Sequence, residues 1–292
     1  AFVMASNPTY EVGVYDLYET DVAAGIRTNT KQLIAKGALT EEELASRLSR
    51  ISFTTDLDSE LVRRADLVIE AVFEDMKIKR DIFAKLEARC RPDTIFCTNS
   101  SVMSPSEISA ELQHRERFVG THFWNPGHLI PLVEVVKSDA SSDEVAQTVM
   151  DVLASAGKEP VLCKKDVPGF IANRMQHALW REAISIVERG IADAATVDKA
   201  VRYSFGLRLP QLGPMENADM VGTDLTYNIH DYILKDLEDS HEPSPLLKKL
   251  RDEGKIGFKT GEGFQTWTPG QIKASNEGLN DYLVDMLYGK KK

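Results

Sequence analysis

The sequence predicts an α/β protein in two parts: a doubly wound, mostly parallel sheet followed by an all-helical domain. Three observations lead there. Through the first half, short runs rich in β-branched residues alternate with amphipathic helical patterns, and strands separated by helices pair in parallel through crossover connections. At Lys164-Lys165-Asp166-Val167-Pro168-Gly169 the β signal stops, and a Pro-Gly pair is a strong local breaker. Beyond it only helical periodicity remains. The predicted division is a sheet domain over 1–165 and a helical domain over 166–292.

Ala1 to Ser6 reads as the end of a helix. The first strand candidate, Glu11 to Tyr15, is a short apolar run closed by Asp16. Thr40 followed by Glu43 has the spacing of a capping box and opens a helix after the Lys36-Gly37 break. Further strand candidates are Leu67 to Val72, Thr94 to Thr98, Phe118 to His122, Leu132 to Val136 and Pro160 to Lys164. Helical patterns between them include Lys77 to Cys90 and Ser142 to Ala156. In the second half, Phe170 to Gly190 places Ile171, Met175, Leu179, Ala183 and Val187 four apart, one face of a long helix. Helices are also predicted at Asp193 to Ser204, Asn217 to Glu238, Pro245 to Glu253 and Pro269 to Met286. Ligands of doubly wound sheets bind outside the C-terminal strand ends, and a second domain closing over that edge makes a cleft.

Hydrophobic residues make up 42% of the chain, enough for a sizeable core. The net charge of −10 argues against a nucleic-acid partner, because phosphate binding needs clustered Lys and Arg. The basic run Lys290 to Lys292 reads as a solvated tail. Cys90, Cys97 and Cys163 have no metal-ligand spacing, and so few cysteines fit reduced thiols in a cytoplasmic protein. No apolar run reaches the roughly 18 residues of a membrane span, and no secretory signal is seen, so no membrane association is expected.

The stretch most suggestive of chemistry is T-H-F-W-N-P-G-H-L-I-P-L-V-E-V-V, from Thr121 to Val136. His122 and Glu134 lie on two β-like runs joined by a turn, so neighbouring strands can bring them together. A histidine held in one tautomer by a carboxylate is a general base; the alternative is a core histidine beside a surface acid. Asp16 ends an apolar strand, where dinucleotide folds keep an acid for the adenosine ribose, although caps and turns use such an acid too. No G-x-G-x-x-G occurs, and Gly254, Gly257, Gly261 and Gly263 follow no strand. In the strand order 3-2-1-4-5-6 the first strand is central. Its loss would leave unpaired backbone edges and a hole in the core. The expectation is that the first strand and glycine loop precede the sequence given; the alternative is a truncated chain that cannot hold a dinucleotide.

Six blocks, in order, together carry a specific resemblance: Asp66 to Glu74 (D-L-V-I-E-A-V-F-E), Thr98 to Ser101 (T-N-S-S), Gly120 to Pro126 (G-T-H-F-W-N-P), Leu132 to Val136 (L-V-E-V-V), Pro168 to Arg174 (P-G-F-I-A-N-R) and Lys259 to Phe264 (K-T-G-E-G-F). By them the chain resembles the L-3-hydroxyacyl-CoA dehydrogenase family over nearly its whole length. The resemblance implies a Rossmann-type sheet domain that binds NAD, and hydride passing between C3 of a 3-hydroxyacyl substrate and NAD. It implies His122 as the catalytic histidine, Glu134 as its partner, and Ser101 and Asn173 near the reacting oxygen. Read alone, Ser101 could cap a helix and Asn173 could be a polar residue at a helix start. The resemblance further implies Asp16 as the ribose acid, with Glu74, Lys79, Asn99, Asn125 and Lys259 lining the cofactor site. It also implies a homodimer formed through the helical domain. An acid at the ribose favours NAD over NADP, whose 2′-phosphate a carboxylate repels.

The match departs after the histidine. Relatives acting on CoA thioesters usually read N-P-x-P-x-M-K-L-V-E there, whereas this chain reads N-P-G-H-L-I-P-L-V-E, with His128 and Pro131. That is similar to the branch holding lambda-crystallin (L-gulonate dehydrogenase), carnitine dehydrogenase and a dehydrogenase of vitamin B6 breakdown, whose small substrates carry no CoA. Ala178 to Ala183 and Thr268 to Gln271 also resemble that branch, while Ser244 to Leu250 and Lys259-Thr260-Gly261 resemble the acyl-CoA enzymes. Lys36 lies where the CoA enzymes keep a lysine near the nucleotide tail, or is a solvated charge. His128 contacts a substrate carboxylate or shapes the turn. The expected function is therefore an NAD-dependent oxidoreductase for a small-molecule substrate, either a 3-hydroxyacyl-CoA or a small 3-hydroxy acid. One rival is a non-catalytic, crystallin-like structural or binding protein on the same fold. Another is a 3-hydroxyisobutyrate-type dehydrogenase with a lysine base, against which the His122 and Glu134 pair speaks.

Overall fold

The computed structural model describes residues 1–289; the lysine run at 290–292 lies outside the described residues. The chain divides into two compact units, Ala1–Arg174 together with the stretch from Gly278, and Met175–Glu277. The division runs through two helices.

In the first unit, β1 (Val12–Tyr15) and β2 (Ile51–Thr54) form a two-stranded parallel sheet with Val12 opposite Ile51. A second sheet holds β3 (Leu67–Glu70), β4 (Ile95–Thr98), β5 (Phe118–Phe123), β6 (Leu132–Lys137) and β7 (Glu159–Cys163) in that order. All neighbours in it are parallel except β5 and β6, which are antiparallel. Chain length explains the exception. Residues 124–131 are a turn, too short for the crossover of about a dozen residues that a parallel pair requires. β2 was not among the expected strands, because Ile51-Ser52-Phe53-Thr54 holds only two apolar residues and follows a polar helix end.

The helices of this unit are α1 (Val22–Ala35), α2 (Glu41–Leu48), α3 (Glu60–Arg63), α4 (Met76–Glu87), α5 (Pro105–Ile108) and α6 (Asp143–Ser155). Ala1 to Ser6 contributes only a 3₁₀ turn at Met4–Ser6. The capping box of α2 is formed: Glu43 N donates to Thr40 Oγ1 at 3.1 Å, and Thr40 N donates to Glu43 Oε2 at 2.8 Å. The five-stranded sheet is buried on both faces, as expected for helices packed on either side. Phe96 and Phe118 face Phe83 and Leu86 of α4 and Ile108 of α5, with the Phe83 and Phe118 rings edge-on at 4.7 Å. Cys97, Val119, Val133 and Val135 face Ala146, Val149 and Leu153 of α6. A third cluster, Ile26, Leu33, Leu39 and Leu44, closes over Val284 near the end of the last helix.

The second unit contains most of α7 (Ala172–Glu188), followed by α8 (Ala194–Arg202), α9 (Pro214–Val221), α10 (Thr223–Ile233) and α11 (Pro245–Asp252); α12 (Pro269–Tyr288) leads out of it. The single helix expected over 217–238 is two, because Gly222 takes φ 103° and ψ 130°, outside the helical region. The Gly254 to Gly263 cluster is explained by tight turns: Gly254, Gly257 and Gly261 have positive φ, and a Cβ at Gly263 would lie 2.9 Å from the Gly257 Cα.

Candidate active site

The antiparallel register sets His122 of β5 directly opposite Glu134 of β6, and directly opposed residues project from the same face of a sheet. His122 Nδ1 lies 2.8 Å from Glu134 Oε2. His122 is 5% exposed and Glu134 is fully buried. The carboxylate is also held by three other donors. Trp124 Nε1 donates to Oε2 at 3.2 Å, and the backbone N–H groups of Ile171 and Ala172 donate to Oε1 at 2.9 Å each. Those two N–H groups stand at the start of α7, where helix N–H groups lack intrahelical acceptors and attract negative charge. The linker aims them: Gly169 takes φ 75° and Phe170 takes φ 49°, a conformation that costs a non-glycine residue energy. Phe170 is nonetheless buried, with its ring 5.7 Å from that of His122 and the Trp124 ring at 5.6 Å.

Burial alone would oppose ionisation of Glu134. The hydrogen bonds from His122, Ala172, Ile171 and Trp124 outweigh it and hold the carboxyl below its ordinary value. An ionised Glu134 takes the Nδ1–H of His122, leaving the lone pair on Nε2.

A second polar group lies at the C-terminal ends of β3 and β4. Glu70 and Lys79 are buried, with Lys79 Nζ 2.8 Å from Glu70 Oε1 and 3.2 Å from Glu74 Oε2. Thr98 Oγ1 donates to Glu70 Oε2 at 2.7 Å. Glu74 accepts from the Ser100 hydroxyl and from Ser101 N at 3.2 Å. Burial raises the Glu74 carboxyl, but the bonds from Ser100, Lys79 and Val102 prevail and hold it below its usual value. Asn99 links this group to the histidine strand, since its Oδ1 accepts from Phe123 N at 2.9 Å.

The structure thus gathers His122 with Glu134, and Glu74 with Lys79 and the Ser101 backbone, with Asn99 as the tie between the two groups. Lys79 is fully enclosed and in contact with Glu74. Asp16 stands exposed after β1, with no cationic partner among the described residues. Asn125 is exposed in the turn after β5, where its peptide bond to Pro126 is cis. Asn173 is half-buried in the first turn of α7. Lys259 is exposed within the second unit.

Glu70, Trp124 and the Ile171–Ala172 amides were not singled out from sequence. For Glu70 there was a signal: a carboxylate closing the apolar run L-V-I-E is seldom buried unless paired. Trp124 is two residues past His122, and alternate residues of an extended chain share a face. The amides had no signal, because they lie 37 and 38 residues from Glu134.

The residues present suit a dinucleotide. The strand ends at Asp16, Glu74 and Ser101 are where ligands of doubly wound sheets bind. The exposed Asp16 carboxylate, which accepts only from Tyr18 N among the described residues, can accept from ribose hydroxyls, and exposed Val72, Phe73 and Val102 offer apolar surface beside Glu74.

Comparison with known proteins places the chain in a family. Residues 1–167 match the family model for the 3-hydroxyacyl-CoA dehydrogenase NAD binding domain, and residues 169–267 match that of the 3-hydroxyacyl-CoA dehydrogenase C-terminal domain. The chain is 36% identical to the 5-formyl-3-hydroxy-2-methylpyridine 4-carboxylate 5-dehydrogenase of Mesorhizobium japonicum, covering 77% of this chain and 72% of that one. It is 37% identical to the human mitochondrial hydroxyacyl-coenzyme A dehydrogenase, covering 83% and 77%. It is 36% identical to a probable 3-hydroxybutyryl-CoA dehydrogenase of Bacillus subtilis, covering 89% and 90%. Among solved structures, a 5-formyl-3-hydroxy-2-methylpyridine 4-carboxylic acid 5-dehydrogenase, an NAD⁺-dependent dismutase, superposes with a TM-score of 0.87 at 31% identity, covering 97% of this chain and 91% of that one. The 3-hydroxybutyryl-CoA dehydrogenase of Escherichia coli gives 0.75 at 32% identity, covering 91% and 56%.

Proposed function

The chain belongs to the 3-hydroxyacyl-CoA dehydrogenase family of NAD-dependent oxidoreductases, and we propose that His122, held by Glu134, is the general base that interconverts a 3-hydroxyacyl substrate and its 3-keto form. The observation that carries this reading is the 2.8 Å bond between a buried carboxylate and Nδ1, which leaves Nε2 as a proton acceptor. Bound NAD supplies the acceptor for the hydride lost from the carbinol carbon. The hydroxyl proton must then leave, and Nε2 of His122 receives it. Glu134 stabilises the imidazolium as it forms. Ser101 and Asn173 hydrogen-bond the reacting oxygen, where fixed donors and acceptors act most strongly away from water. In the reverse direction the imidazolium returns its proton to the oxygen.

Asp16 accepts from the cofactor ribose, and Glu74, steadied by Lys79, shapes the site beside it. Asn99, Asn125 and Lys259 are the further candidates for cofactor contact. A homodimer through the helical unit is supported by its large exposed apolar side chains, among them Met215, Met220, Tyr227 and Tyr232.

The test is His122→Gln. It should retain NADH binding, followed by fluorescence, and lose turnover by about 100-fold or more. Retained turnover would remove His122 from the chemistry.

A second reading concerns the substrate: a small carboxylated hydroxy or aldehyde compound without CoA. It is supported by Lys36, which is not free for a nucleotide tail, since its Nζ lies 2.8 Å from Asp285 Oδ1 and 3.2 Å from Asp281 Oδ1. The N-P-G-H turn and the 0.87 superposition on a pyridine-carboxylate dehydrogenase point the same way. Comparing kcat/KM for acetoacetyl-CoA with that for L-carnitine and L-gulonate separates the two. A preference of about tenfold or more for the thioester would discard the second reading. The built His122–Glu134 pair speaks against the non-catalytic, crystallin-like alternative.

A further inference from the structure

Glu134 receives four donors, and they are not equivalent. The two on Oε1 come from the start of α7 and anchor the carboxylate whatever happens at the histidine. The two on Oε2 compete. His122 Nδ1 at 2.8 Å and Trp124 Nε1 at 3.2 Å share one oxygen. Glu134 is the acceptor of the indole N–H, and the Trp124 ring stands 5.6 Å from the imidazole at an angle of 57°.

We propose that Trp124 is a positioning residue that sets the proton affinity of His122 by sharing the Glu134 oxygen that holds it. The proposal rests on the reading of His122 as the base. An imidazolium is stabilised by the charge of the carboxylate it faces, and a second donor on the same oxygen draws part of that charge away. The imidazole is thereby kept a readier proton donor than the bare pair would make it. That eases return of the proton to the reacting oxygen when the keto form is reduced. Tryptophan suits the place because its body packs against the ring while its N–H finds a buried acceptor.

Other titratable and charged groups lie on the elements packed near the pair. From β7 comes the Cys163 thiol, which burial and the neighbouring carboxylate push up from 9.0, so it is neutral near pH 7. Asp166 and Arg174 are near Cys163 on the linker and on α7; Asp166 accepts from the Ser104 hydroxyl and from Ser106 N at 2.9 Å, and Arg174 Nη1 donates to the Pro168 carbonyl at 3.3 Å. Phe170 carries no charge, and Asn99, from the β4 side, does not titrate.

The test is Trp124→Phe, which keeps an aromatic ring and removes the N–H. The profile of kcat/KM against pH for oxidation of the hydroxy substrate falls on the acid side as His122 protonates. In the variant that limb should move to higher pH by roughly half a unit or more. An NMR titration of the His122 ring in the resting enzyme should move in the same direction, and it needs no turnover. An unmoved or lowered limb, with an unmoved ring titration, would overturn the proposal and leave Trp124 as packing alone. If His122→Gln keeps its turnover, the reading of the base has failed; the ring titration still judges Trp124 separately.

Discussion

Replacing Glu134 with Gln tests the construction of the site most directly. Four N–H groups point at this buried carboxylate, two on each oxygen. An amide has one acceptor oxygen, so two of the four donors must face its NH₂ whichever way it turns. A hydrogen bond to a charged group is worth about 1.5–3 kcal/mol, so losing two costs roughly 3–6 kcal/mol. That is a large part of the ~5–15 kcal/mol holding a typical domain together. At about 2–4 °C per kcal/mol for a large domain, the melting temperature should fall by about 6 °C or more. With the NH₂ toward His122, the ring must accept at Nδ1 and carry its hydrogen on Nε2, the atom we propose as the proton acceptor. Turnover should then fall about 100-fold or more. The loss also has a pH signature. The folded value of Glu134 lies below the ordinary 4.5. Its stabilisation is therefore complete above the unfolded value and disappears as pH falls through the folded one. The gap in melting temperature between wild type and variant should be widest near neutrality and close in acid. Scanning calorimetry from neutral pH into acid, with steady-state NADH assays, measures both effects. A variant melting within about 2 °C of wild type at neutral pH, at near-normal turnover, would show that the four-donor account is wrong.

Two further perturbations follow from buried lysines. Lys79→Met strands the buried Glu70 carboxylate and should cost about 3–5 kcal/mol in urea unfolding. Adding Glu70→Gln should recover much of that, and strictly additive effects would mean the pair is not coupled. Lys158 is 6% exposed and donates to the Gly127 and Ile130 carbonyls at 2.5 and 2.7 Å. Burial pushes it down from 10.5 to about 8. Between those values the unfolded chain holds more protons than the folded one, so this contribution to stability grows as pH rises. Wild type should gain on Lys158→Met across that window, whereas a constant difference would show that Lys158 titrates normally.

What could be read from the chain itself was local. Short apolar runs rich in β-branched residues located β1 and β3 to β7, and helical spacing located α4, α6 and α7. The Thr40–Glu43 box closed as its spacing required, because its bonds span three residues. Where local cues were thin, structure corrected the reading. β2 has only four residues, two of them apolar, after a polar helix end, and the helix expected over 217–238 broke at Gly222 once the backbone took positive φ there. His122 and Glu134 were legible as residue types on adjacent runs, but only strand register could make them opposite.

The sequence by itself carried most strands and helices in order, the mostly parallel plan and the residue types on which a site reading rests. Each of those depends on side chains a few positions apart. The tertiary structure alone decided what each charge touches. Glu134 is held by amides that arrive with a linker and helix 37 and 38 residues later. Lys36 is claimed by a carboxylate 249 residues away. A buried charge takes whichever partner the whole packed chain brings to it, and no local pattern encodes that choice.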